Sequence, residues 1–213
     1  MDYLPEYPGT LPILLGSVSV STRWVLFMLD LLAQRRPHRA DAARNFDALV
    51  AAARDVFAEL GANASMDEVA RRAGVGNATL YRNFPTREAL VEVVYLSEVQ
   101  TVCEYAEELA GADDPFGALV AWLRRFVGLA STKRVLIEGL AFNPNAYPAA
   151  RDAIYAAGGS LIARAQQAGQ VDPILDIDDV MRFAIGVSVG VYRDDDQRER
   201  VFRAAVKGIG ADA

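Results

Sequence analysis

The sequence predicts an all-α protein, on three observations. Apolar residues recur at gaps of three and four along most of the chain, the period of a helix buried on one side. Alternating runs of β-branched and aromatic residues, which mark strands, are scarce. The breaks between periodic segments are rich in Gly, Pro, Asn and Asp, which is turn chemistry. The expected architecture is a compact N-terminal bundle ending near Phe84, followed by a larger helical body.

Element by element, the first helix is expected over Asp41–Leu60, where Phe46, Leu49, Val50, Ala53, Val56, Phe57 and Leu60 fall on one stripe and Gly61 ends it. Ser65 and Glu68 have the spacing of a capping box and open a short helix to Ala73. Gly74 interrupts, a second short helix runs from about Asn77 to Phe84, and Pro85 stops it. Thr86 is placed to cap a long helix over Arg87–Leu109. Further helices are expected over Phe116–Leu129, Lys133–Phe142, Pro148–Ala168, Ile177–Tyr192 and Gln197–Ile209. Ile177–Tyr192 is apolar nearly all round, so it is expected to be buried from several sides, with Gly186 and Gly190 allowing close helix approach.

Composition bounds the function. Hydrophobic residues make up 52% and charged residues 23% of 213, which describes a folded chain with a real core. The formal net charge of −6 argues against nucleic-acid binding over the whole surface, but it is unevenly spread. Between Arg35 and Arg87 nine arginines face six acids, a net +3, and the remainder carries −9. A basic module thus sits on an acidic body. Cys103 is the only cysteine and His38 the only histidine, so no intrachain disulfide, thiolate cluster or multi-histidine metal site can be built. Histidine-based triads fall with them. No catalytic residue, metal or cofactor is expected, and a reducing, cytoplasmic location fits.

The stretch from Ser65 to Phe84 carries the chemistry. Val69, Ala70, Ala73, Val75 and Leu80 are spaced to point inward, and Gly74 supplies the positive φ that a tight turn between crossing helices needs. The second helix then buries one face and presents the other, with Gly76, Asn77, Thr79, Arg82 and Asn83 on it and Tyr81 to one side. These are short polar groups. Asn can bridge the major-groove edge of adenine, Thr can meet a hydrogen-bonding edge or a thymine methyl, and Tyr and Arg reach phosphates. The open start of the Ser65–Ala73 helix can aim N–H groups at a phosphate. The reading is a recognition helix for double-stranded DNA.

The segment "MDEVARRAGVGNATLYRNFPTREALVEVVY" resembles the DNA-binding signature of the TetR family of transcriptional regulators, and the match runs from Asp41 to about Tyr95, with "RADAARN" leading into the first helix. The resemblance implies an N-terminal three-helix helix-turn-helix bundle over residues 39–95 and a larger C-terminal ligand-binding and dimerisation domain over 96–213. It implies base- and backbone-contacting positions at Asn77, Ala78, Thr79, Tyr81 and Asn83, and a phosphate-meeting helix start at Ser65 and Met66. Arg82 and Arg87 add phosphate contacts. The family often has Lys in place of Arg87, which changes hydrogen-bond geometry, and His in place of Asn83, which bears on the operator read. It further implies a homodimer paired through the last two long helices, a palindromic operator, and repression as the default mode.

A ligand site would lie between helices of the body. Trp122, Phe126, Phe142, Tyr147, Tyr155 and Phe183 are the candidate lining residues, and their character points to a small apolar or aromatic effector.

Two rival readings stand beside this one. "GVSVG", Gly186–Gly190, matches the pattern of a nucleophile elbow, but no His follows Ser188 and the segment reads as mid-helix. The other rival is an all-α interaction protein that uses its apolar N-terminal arm for a membrane or a partner. Leu11–Val20 and Trp24–Leu32 are apolar, yet Arg23 and Asp30 interrupt them, and no cationic region precedes them. Residues 1–38 are therefore read as an extension. Residues 1–27 are either non-native, with the true start at Met28, or an arm that packs on the body or stays disordered.

Overall fold

The computed structural model describes residues 30, 32–137 and 146–211, with the side chains of all of these but 62, 131–137, 146 and 147. Among the described residues eight α-helices follow a helical turn at residues 32–35: α1 (Ala40–Leu60), α2 (Met66–Ala73), α3 (Asn77–Asn83), α4 (Arg87–Leu109), α5 (Pro115–Ile137), α6 (Ala146–Gln167), α7 (Ile177–Val189) and α8 (Asp195–Lys207). Among the described residues the extended pairing is limited to an isolated antiparallel bridge, Val171 with Gly210. No helix among the described residues is long and apolar enough to cross a membrane.

Two clusters of buried side chains organise these helices. The first joins Phe46, Leu49, Ala53, Val56 and Phe57 of α1 to Val69 and Ala70 of α2, Leu80 of α3, Phe84, and Leu90–Val94 at the start of α4. The Phe46 and Phe84 rings lie 5.0 Å apart, which closes the bundle where α3 ends. The second cluster continues down α4 from Tyr95 to Ala106 and takes in α5, α6, α7 and α8. One helix thus runs through both cores.

The segment just ahead of α1 is tied down. Leu32 packs against both clusters, Arg35 donates to both oxygens of Glu92 at 3.1 and 3.2 Å, and Arg36 donates to Asp47 at 2.8 and 2.5 Å. The end of the stretch assigned to an extension over 1–38 is part of the packed protein. Residues 1–29 lie outside the described residues.

Helix starts follow their cap chemistry. Thr86 accepts from Ala89 N–H at 3.2 Å and Asp194 from Gln197 N–H at 2.7 Å. Asp176 and Asp179 make a reciprocal capping box at the start of α7. The Ser65 box is only half formed: Ser65 accepts from Glu68 N–H at 3.2 Å, but the Glu68 carboxylate is taken by arginines.

Three expectations are corrected. The break between Leu129 and Lys133 does not occur, and α5 runs on to Ile137, because Ala130-Ser-Thr carries no Gly or Pro to stop it. α7 ends at Val189, where Tyr192 folds back and its hydroxyl donates to Val187 O at 2.6 Å. α7 is also not buried all round. Val180, Met181, Ala184 and Val187 are inside, whereas Phe183, Ile185 and Val189 are 40%, 42% and 46% exposed, and among the described residues nothing lies within 4 Å of where a Cβ on Gly186 would stand.

The body core is centred on Trp122. Its indole N–H donates to Val102 O at 3.0 Å, and its ring stacks on Phe126 with centroids 6.0 Å apart. The ring lies against Gly158 of α6, where a Cβ would stand 2.5 Å from the Trp122 ring and 2.9 Å from Ile177 Cδ1. Gly158→Ala is expected to lower stability by about 1–3 kcal/mol through overpacking. Gly159→Ala, facing open space, should instead raise it by about 0.5–1 kcal/mol. Urea denaturation of both variants checks the pair.

Candidate DNA-reading face

The turn between α2 and α3 is set by one residue. Gly74 adopts φ 68°, ψ 27°, the left-handed conformation that other residues enter at a cost, and its N–H closes α2 on Ala70 and Arg71 carbonyls. Val75 N–H then returns to Ala70 O at 3.1 Å, so the chain reverses within three residues. α3 follows with Leu80 as its buried residue. Asn77, Ala78, Tyr81 and Arg82 are exposed, and Thr79 and Asn83 are half-buried.

The polar face is held by its own bonds. Asn77 Nδ2 donates to Asp67 Oδ1 at 2.9 Å, which ties α3 to the first turn of α2. Asn83 Nδ2 donates to Thr79 O at 2.8 Å. Ser65 is exposed at the start of α2, and Met66 is half-buried against the bundle core. The sequence-selected residues Ser65, Asn77, Ala78, Tyr81 and Arg82 therefore share one exposed region formed by two short helices. Arg87 is turned differently: its guanidinium lies over the Phe57 ring, 5.3 Å from the centroid, and Nη2 is buried without a hydrogen-bond partner.

The positive charge of this module is mostly committed. Arg72 bridges Glu59 at 2.6 Å and Glu68 at 2.8 Å, and Arg71 grips Glu68 with two bonds of 2.7 Å. Arg54 pairs with Glu98 and Arg44 with Asp41. Arg39 and Arg82 carry no ion pair among the described residues. The net +3 counted from the sequence is real, but the cation standing free on the α3 face is Arg82. Sequence reasoning missed Asp67 and the Glu59–Arg72–Glu68–Arg71 network. The i, i+3 and i, i+4 spacing of Glu68 to Arg71 and Arg72 was the available signal for the network.

The body residues named for a ligand site stand in different surroundings. Trp122 and Phe126 are core. Tyr155 is half-buried and its hydroxyl donates to Asp178 at 3.0 Å, while Phe183 faces outward. Phe142 and the Tyr147 side chain lie outside the described residues. A cleft of about 520 Å³ opens between α4 and α5, lined by Thr101, Glu104, Tyr105, Glu108, Ala121, Arg124 and Arg125, four of them charged. Ser188 of the elbow-like pattern lies inside α7 and donates to Ile185 O at 2.7 Å, which is helix rather than strand–turn–helix. The Cys103 thiol is pushed up to about 12 by burial and stays a packed, protonated side chain.

Comparison with known proteins agrees with this geometry. A model of bacterial regulatory proteins of the tetR family matches residues 49–94, and a model of the C-terminal domain of SbtR-like transcriptional regulators matches residues 114–211. A TetR transcriptional regulator of Streptomyces coelicolor is 35% identical over 79% of this chain and 99% of its own, with a TM-score of 0.69. A TetR regulator of Mycobacterium vanbaalenii is 36% identical over 82% of this chain and 99% of its own, with a TM-score of 0.65. RolR in complex with resorcinol shares the fold at 21% identity, covering 80% of this chain and 90% of that one, with a TM-score of 0.51.

The ion network gives a pH prediction. Hydrogen bonds from Arg71 and Arg72 hold the Glu68 carboxyl at about 2, below its ordinary 4.5, and Arg72 lowers Glu59 in the same way. A carboxyl depressed in the folded state stabilises it above the ordinary value, and that stabilisation is lost as pH falls toward the folded value. The urea midpoint should therefore fall between pH 4.5 and about 2, and Glu68→Gln should flatten that fall.

Proposed function

The chain belongs to the TetR family of bacterial regulatory proteins and is thereby a DNA-binding transcriptional regulator; from that premise we propose that it acts as a homodimeric repressor of a palindromic operator, released by a small effector. The observation that carries the reading is α3 itself, which buries Leu80 and leaves Asn77, Ala78, Tyr81 and Arg82 outward. In this reading residues 39–95 form the DNA-binding domain and 96–213 the effector and dimerisation domain. Asn77, Ala78, Thr79, Tyr81 and Asn83 meet bases and backbone, and Ser65 and Met66 place the start of α2 against a phosphate. Arg82 supplies a phosphate contact, and Arg87 adds one through the edge of its guanidinium not pressed on Phe57.

The partner copy covers the apolar faces left open on the last two helices. Phe183, Ile185 and Val189 of α7 and Val201 of α8 are exposed, and several large apolar side chains left open on neighbouring helices mark an association surface. Phe183 is thereby reassigned from effector site to dimer contact. Two protomers then present two copies of α3, which fit successive major-groove faces about 34–36 Å apart. The effector is apolar or aromatic and sits in the body around Trp122, Phe126 and Tyr155. RolR, which has this fold, is known in complex with resorcinol, and that supports the aromatic class. An effector that prefers a body with a different spacing of the two α3 helices lowers DNA affinity by population shift. The operator lies upstream of its own gene or a neighbour.

Selection from a randomised duplex library with the full chain should enrich a palindrome, and failure to enrich any sequence would contradict the reading. Arg82→Ala should weaken binding to every duplex alike and flatten the salt slope by about 1, read by fluorescence anisotropy across salt concentrations. Phe183→Glu should turn a dimer into a folded monomer by light scattering, with the enriched duplex no longer bound tightly.

A further inference from the structure

We propose that Asp67 is a positioning residue for base reading: its carboxylate grips the Asn77 carboxamide and fixes which way that amide faces the DNA. The proposal rests on the reading of α3 as the recognition helix.

Asp67 lies in the first turn of α2, next to Glu68 but in different company. Glu68 is held by Arg71 and Arg72, whereas Asp67 Oδ1 accepts from Asn77 Nδ2 at 2.9 Å, across the turn. A carboxylate at neutral pH has no hydrogen to give, so only the nitrogen of the Asn77 amide can face it. The amide orientation is therefore set by chemistry. One N–H is spent on Asp67, and the other N–H and Oδ1 remain as an adjacent donor and acceptor. That pair matches N7 and N6 of adenine in the major groove. Without Asp67 the terminal torsion of Asn77 is broad and close to two-fold, so the amide presents either edge.

Charge sharpens the argument. Asp67 is exposed on the region offered to DNA, and a carboxylate there opposes a polyanion of any sequence. A helix-start charge would serve α2 without reaching Asn77. Asn83 needs no such partner, because its Nδ2 already donates to the Thr79 carbonyl of its own helix. The bond from α2 to α3 is what a purely helix-capping role for Asp67 leaves unexplained.

The test uses the full chain, the duplex enriched from a randomised library, and every single-base-pair variant of that duplex. Asn77→Ala should flatten the preference at one base pair per half-site by roughly 5- to 150-fold. Asp67→Ala should flatten the preference at that same base pair and no other, while binding all remaining duplexes as tightly as the parent or tighter. The double variant should be no flatter than Asn77→Ala alone, and thermal melting of both single variants should match the parent. Asp67→Asn loses the charge and gains a donor that can also meet Asn77 Oδ1, so it no longer forces one orientation: it should bind all duplexes more tightly and lose part of the preference. Asp67→Ala retaining the preference, or effects that add in the double variant, would overturn the proposal while leaving the role of Asn77 intact. An Asp67→Asn variant that keeps the full preference of the parent would overturn it too. If Asn77→Ala changes no base preference, the reading of α3 at this position fails and the proposal fails with it.

Discussion

A single backbone conformation at Gly74 governs what the N-terminal bundle can do. With φ at 68° the chain turns sharply enough for α3 to cross α2 while Leu80 reaches the core shared with α1 and α4. A seven-residue helix has little stability of its own, so α3 exists because Leu80 is buried and the turn is closed by the Val75 N–H bond to Ala70 O. The outward residues are then relieved of packing duty and can be chosen for contact chemistry. Asn77 and Asn83 are short, polar and already hydrogen-bonded, which lowers the entropy lost when they are ordered against a ligand.

Charge is arranged to the same end. Most arginines of the bundle are committed to carboxylates, and several of those pairs cross between elements: Arg36 to Asp47, Arg35 to Glu92, Arg72 to Glu59. Exposed pairs of this kind contribute little stability individually. Their effect here is to hold neighbouring helices in register and to cancel most of the local field. On the α3 face the cation left without an ion pair is Arg82, and Asp67 adds a negative charge at the start of α2. Such an arrangement favours sequence discrimination over sheer affinity, since unspecific attraction to a polyanion scales with free cations.

Much of this was legible in the sequence, unevenly. The bundle could be read almost residue by residue, because Gly61, Ser65, Gly74, Pro85 and Thr86 each carry a local reason to start or stop a helix. Burial of Val69, Ala70 and Leu80 followed from their spacing. The body was harder. Ala130-Ser-Thr looked like a separator, yet nothing in it forbids a helix, and α5 passes through. The apolar run of α7 could not say whether its outer face meets this chain or another one, since periodicity reports burial and not the identity of the neighbour. Trp122 reads as an aromatic candidate for ligand contact in a sequence. Only the close approach at Gly158 and the bond to Val102 O identify it as the centre of the core. The Asp67–Asn77 bond spans ten positions across a turn, so no spacing rule points to it.

The central claim is that two copies of α3 read one duplex from its major groove. Guanine N7 lies in that groove, so chemical methylation of the library-enriched duplex, with and without the full chain, tests the claim directly. The account predicts two protected patches on one face of the duplex, with centres one helical turn apart, about 10–10.5 base pairs, or a multiple of it. Unprotected guanine N7 positions throughout the bound duplex, or a single patch per bound assembly, would contradict it.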